Sequence, residues 1–241
     1  EPDMTPFSLA DLGLSDDELA GLNNLDASPA VTDELIFDVG THTPTNIPHE
    51  TVSQLTIRNG ATVTFSASNP NNWLTTTAMP YGVIVESDGR LDLGTPATNI
   101  TLNIASGSQC RIYGTLQTQN SAVIGDGFFS LENDALLATT RDDGINGASV
   151  SGGAVQTAFA SYGSQARYEF TSASPGAERD MNFKQQGGKS SIMQMKALYV
   201  RASAGTRRLN STITVGGGGL LALSKGESTV QSAASVSEVV I

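Results

Sequence analysis

Cysteine is almost missing from this chain: Cys110 is the only one in 241 residues, so no intrachain disulfide can form and no multi-cysteine metal site is available. Charge is scarce as well, at 15% against the roughly 25% of an average soluble domain. Basic residues are absent from the first 57 positions, because the first is Arg58, while residues 1–50 already hold eleven Asp and Glu. Residues 58–241 carry 13 acids against 13 bases, so the head owns the whole surplus of −11. Without a basic stripe to neutralise phosphates, a nucleic-acid partner is disfavoured. No apolar run of about 18 residues exists, which argues against insertion into a membrane as a helix. The chain opens on "EPDMTPFS" with neither an initiator Met nor a signal peptide. Glu1 reads as a processed terminus, which implies export and an extracellular or cell-surface location.

What fills the chain instead is Ser, Thr, Asn, Ala and Gly, arranged in two patterns. In residues 1–33, Ser8 precedes Asp11 by three and Ser15 precedes Glu18 by three, each pattern followed by Leu and stopped by Gly13 or Gly21. These are capping boxes and predict one or two short helices. Helices so short cannot stand alone in water, so Leu9, Leu12, Leu14, Leu19 and Leu22 need a surface on which to dock. From residue 34 to residue 241 the period becomes two. Leu55 and Ile57 pair with Val63 and Phe65, Val83 and Val85 with Leu91 and Leu93, and Leu102 and Ile104 with Cys110 and Ile112.

Between these pairs sit Asn59-Gly60, Asp88-Gly89 and Ser106-Gly107, with Glu132-Asn133-Asp134 as a weaker pivot and Gly216 to Gly219 as a later one. Such dipeptides between alternating runs are also hairpin signals, which leaves an antiparallel β-sandwich as the alternative. Gly60, Gly89, Gly107 and Asp134 recur at steps of 29, 18 and 27 residues. That recurrence is the period of a solenoid, so the fold expected is all-β, a parallel β-helix with a short helical N-terminal extension.

Residues 125–171, with Gly144-Ile145, Gln156-Thr157 and the strand Tyr168-Glu169-Phe170, resemble a recurring segment of large secreted, adhesin-like surface proteins of Bacteroidota-type bacteria, and the stretch up to 227 looks like the repeat that follows it. The resemblance implies export, a β-solenoid and a role at the cell surface or in an extracellular fibre, and it carries no catalytic residues. The chain departs from that family in having no recognisable C-terminal sorting domain.

Several local groups invite chemistry. Arg141-Asp142-Asp143-Gly144 resembles one fragment of a polygalacturonase signature, but its companion motifs are missing, and a turn rich in Asp and Gly explains it better. Gly188-Lys189-Ser190 lacks the earlier glycine of a phosphate loop, since position 183 is Phe. His42 and His49 match no metal-ligand spacing. Asp16, Asp17 and Glu18 are a candidate calcium site, although acids in a first helical turn are what a helix dipole favours anyway; Asp126 and Asp134 are calcium candidates of the same kind, and no other cofactor is expected. Trp73 and Tyr81, with Asn71 and Asn72, form a candidate sugar platform of ring face beside amides.

The reading that joins these features is a non-enzymatic extracellular subunit that self-assembles into a filament or surface layer. Leu9, Leu12, Leu14, Leu19 and Leu22 would anchor the extension on a neighbouring copy, with Ile36 and Val39 entering a sheet. A monomeric adhesin or carbohydrate-binding module acting through Trp73, with glycans as partners, is the alternative, and a polysaccharide lyase or hydrolase comes third.

Overall fold

A computed structural model describes residues 31–44, 50–66, 72–95, 98–171, 178–201, 206–223, 230–232 and 239–240. The two capping-box segments and their leucines lie outside these residues, as do Asp16, Asp17, Glu18, His49 and Asn71. The described chain is all-β, with no helix.

The strands come in sets that pair with the preceding set in the same order. The first set is β1 (Glu34–Asp38), β2 (Thr41–His42) and β3 (Glu50–Val52); the second is β4 (Gln54–Arg58), β5 (Thr62–Thr64) and β6 (Asn72–Thr76). β4 lies parallel on β1, β5 on β2 and β6 on β3. β7 (Tyr81–Val85), β8 (Arg90–Asp92), the short β9 (Gly94–Thr95) and β10 (Thr98–Ile104) follow, and then β11 (Gln109–Ile112) and β12 (Thr115–Gln117). β13 (Val123–Leu131) bends through a register shift between Gly125 and Phe128, so that its first part pairs with β10 and its second with β11.

The later strands are β14 (Leu136–Thr139), β15 (Val155–Tyr162), β16 (Arg167–Phe170), β17 (Glu178–Asp180), β18 (Gly188–Lys189), β19 (Gln194–Val200), β20 (Thr206–Leu209), β21 (Ile213–Leu223), β22 (Val230–Ser232) and β23 (Val239–Val240). Together they make sheets of 11, 9 and 3 strands. Among the described strands only β9 and β10 pair antiparallel, so the sandwich alternative does not describe this chain.

Register explains why alternation was written so regularly. Leu55 stands on Val83, Val83 on Cys110 and Cys110 on Phe129, each fully buried. In the second large sheet Val63, Leu91, Leu116, Leu137, Tyr168 and Leu198 form the equivalent row. Because side chains alternate faces along a strand, each apolar pair places its residues on the same interior side, and each new strand extends that row. Asn59-Gly60 turns with both residues at positive φ, 53° and 76°, and Gly107 and Asp134 do so at 81° and 63°. Asn59-Gly60 and Asp134 lead into strands of the other large sheet, so their hairpin chemistry is spent on a corner; Gly107 differs, joining β10 to β11 within the largest sheet, where β13 lies between the two.

One expected pivot differs. Gly216 to Gly219 lie inside β21, where Val215 pairs with Met195 and Leu220 with Ala197. Four glycines therefore stand opposite the single Lys196, and the run is a bulge in a continuous strand.

Candidate functional site

Among the described strands, β1 stands at an edge of the largest sheet. Ile36 lies in its middle and is 45% exposed, while Val39 follows it in the turn to β2 and is 51% exposed. Val39 takes φ 47°, a costly conformation for a β-branched residue. Leu35 and Phe37 face inward but are only partly buried, with Phe37 packed 6.4 Å from Phe65 and 5.3 Å from the His42 ring. Nε2 of His42 lies 2.6 Å from the Val39 carbonyl. Arg58 and Asn59 bind Asp38, and the Asn59 bond, with Arg58 behind it, holds that carboxyl below its usual range. The first set of strands is thus charge-tied along one margin and apolar across its exposed centre.

Trp73 sits on a strand, β6, and not in a loop, and is 45% exposed. Tyr81 begins β7 in a different row. Its ring is covered by the guanidinium of Arg111 at 5.5 Å, which also lies 5.1 Å from the ring of Tyr113 and binds Glu132 at 2.8 Å. The platform imagined for Trp73 and Tyr81 is thus divided: the two lie on different strands, Trp73 half-exposed and Tyr81 stacked on a cation.

The Arg141-Asp142-Asp143 segment is woven into the fold by its charges. Arg141 donates to both oxygens of Asp143 at 2.8 Å, Gly153 N–H adds a third bond at 2.8 Å, and Asp142 pairs with Arg179 at 3.1 Å. Burial pushes the Asp143 carboxyl up, but Arg141 and Gly153 outweigh it and hold it below the usual range. Behind this turn Lys189 is buried. Its Nζ donates to the carbonyls of Asn146 at 2.6 Å and Val155 at 2.9 Å, with those of Val150 and Gly152 at 3.3 and 3.5 Å. Burial pushes its amine down to about 8, and Asp143 opposes that shift. The buried Asn146 donates to the carbonyls of Lys184 and Ser190 and accepts from the Tyr162 hydroxyl. The lysine of the rejected phosphate-loop motif is therefore a structural clamp on residues 146–155.

That clamp forms one wall of an open hollow of about 260 Å³. Its other walls come from the bend of β13, from β15 and from the approach to β18: Gly125, Asp126, Gln156, Thr157, Gln186 and Gly188. Sequence reasoning flagged Asp126 only as an acid near a turn. The signal that could have found the hollow is the pair of glycines, 125 and 127, around one carboxylate. Gly125 has φ 108°, and a Cβ there would strike the Ile104 carbonyl. Among the described residues no group of three or more His, Cys, Asp or Glu stands ready for a metal ion. Compared with known proteins, the chain matches no protein family, no curated protein and no solved structure.

Proposed function

We propose that the chain is a parallel β-solenoid that serves as an extracellular structural subunit, associating head to tail into a filament or surface layer. The observation that carries this reading is the edge at β1. A row of unpaired backbone groups is a template for another chain, and proteins that must stay monomeric usually blunt such edges with charge, proline or a cover. Here Ile36 and Val39 are exposed at the edge, and Leu35 and Phe37 are incompletely covered.

Charge along the chain gives the contact a direction. Residues 1–50 carry eleven acids and no base, whereas residues 178–241 carry eight bases against four acids. The strands follow chain order across the sheets, so β1 and β2 stand at one end and β23 at the other. An acidic end facing a basic end favours a heterologous contact, which makes an open polymer when it does not close into a ring. Residues 1–33 of one copy, with Leu9, Leu12, Leu14, Leu19 and Leu22 as anchors, would complete the contact with the body of the next. The engaged carboxylates of the Arg141-Asp143 turn also suit a structural role better than acid–base chemistry.

Light scattering and negative-stain electron microscopy of the whole chain test this, beside a variant lacking residues 1–30 and an Ile36→Asp variant. Concentration-dependent filaments that both changes reduce to monomers are expected. Assembly that survives both, or a whole chain that stays monomeric at every concentration, overturns the reading. The exposed Trp73 supports a second reading, a monomeric glycan-binding adhesin.

A further inference from the structure

We propose that the hollow at the bend of β13 is a binding site for one pyranose ring of a neutral saccharide. This does not rest on self-association, because the hollow is built by middle strands of the stack. Asp126 occupies the bulge of β13, and bulges re-aim side chains. Its exposed carboxylate has no ion pair or hydrogen bond among the described residues. Nearby acids are committed: Glu132 to Arg111, Asp134 to Lys196, Asp142 to Arg179 and Asp143 to Arg141. An unpaired carboxylate in the lining of a concave site is the natural acceptor for two vicinal hydroxyls.

The rest of the lining is amide and hydroxyl. Gln156 lines the hollow, and its Nε2 is held by the Gly153 carbonyl at 2.9 Å, which fixes that amide in the wall. Gln186 and Ser151 add donors and acceptors from the facing loops. Phe159 is 54% exposed, and its ring lies against Gly188 of the lining, where a Cβ would come within 2.6 Å of its Cδ1. An exposed ring against Gly188, next to a hollow lined by a carboxylate and amides, offers the mix of an apolar face and polar contacts that a pyranose requires. Among the described residues that line the hollow there is no Lys or Arg, which favours a neutral sugar over an acidic one. Its volume is below the roughly 300–1,000 Å³ of drug-sized pockets, which suits a single ring. The Lys189 clamp supplies rigidity, since it fixes the carbonyls of Val150 and Gly152 in the wall.

The test is a titration of the ¹⁵N-labelled whole chain with cellohexaose, laminarihexaose, xylohexaose and mannohexaose, following the amides of Gly125, Gly127 and Gly188. Shifts confined to these glycines and their neighbours are expected with at least one sugar. Asp126→Ala and Phe159→Ala, both at exposed positions, should each weaken that binding about tenfold. The proposal fails if no sugar shifts these amides at about 10 mM, the weak limit of useful recognition. It also fails if binding persists in both variants but is lost in Trp73→Ala, which places the sugar on β6, or if calcium alone produces the shifts, which makes the hollow a cation site.

Discussion

Taking an ammonium out of water costs several kcal/mol unless its donors are satisfied, and Lys189 meets that condition with backbone carbonyls alone. Because no carboxylate among the described residues binds it directly, the residue stabilises only while its cage is intact. Lys189→Met keeps the stem and removes every donor, leaving the Asn146 and Val155 carbonyls without this partner. A loss of about 2–3 kcal/mol in urea unfolding at pH 7 is expected. The same amine makes stability depend on pH. It titrates near 8 in the fold and near 10.4 when unfolded, so between those values the unfolded chain binds more protons and unfolding free energy rises with pH. Denaturant midpoints at pH 7, 8.5 and 10 should show that rise in the parent chain, and the difference between parent and Lys189→Met should widen across the window. A constant difference would mean the amine does not titrate there. None of this was legible in the sequence. "GGKSS" looks like a solvated turn, and the carbonyls that receive Nζ lie 34 to 43 positions earlier.

At the scale of the element, most of the architecture was written in the chain, because in-register stacking needs only local alternation and a corner. Leu55-Ile57 and Val83-Val85 could be read as successive rungs from their places before Asn59-Gly60 and Asp88-Gly89, but the matching place in the sequence belongs to Leu102-Ile104, whereas it is Cys110-Ile112, beyond Ser106-Gly107, that pairs with Val83-Val85. The handling of glycine was harder to read. Gly40 and Gly114 look alike in sequence yet differ sharply: a Cβ at Gly40 meets nothing within 4 Å, whereas one at Gly114 would collide with the carbonyls of Glu86 and Gly89 in the corner beneath it. Thr115 N–H binds that same Gly89 carbonyl at 2.9 Å, so the collision cannot be relieved without breaking the ladder. Gly40→Ala should cost about 1 kcal/mol, the ordinary penalty of positive φ. Gly114→Ala should cost about 3 kcal/mol or more by overpacking against backbone. Thermal unfolding of the two variants checks the order, and equal losses would contradict the stacked corner. The hollow was illegible for a related reason: Asp126, Gln156 and Gln186 come from three successive strands or their approaches, and only register brings them to one bend.

At the scale of the whole molecule, the −11 charge matters less than its order along the chain. Eleven acids fall in residues 1–50 and a net excess of four bases in residues 178–241, and composition alone conceals that gradient. Several of those bases are tied within the fold, as in Arg179 with Asp142, Lys196 with Asp134 and Arg208 with Asp180. What reaches a neighbour is therefore a diffuse field and not a set of fixed ion pairs, so salt should control the rate and strength of association more than any single charge does. The screening length falls from about 10 Å at 0.1 M salt to about 3 Å at 1 M. If the acidic end of one copy meets the basic end of the next, sedimentation at those two salt concentrations should show association weakened about tenfold at the higher one, with the unfolding midpoint of the monomer little changed. A purely apolar contact at Ile36 and Val39 gives the opposite sign, because added salt strengthens apolar burial and screens the repulsion between two chains of like net charge. The direction of the salt effect thus separates a head-to-tail polymer, driven by the gradient, from edge-to-edge pairing of two β1 strands, which would bring acidic end against acidic end.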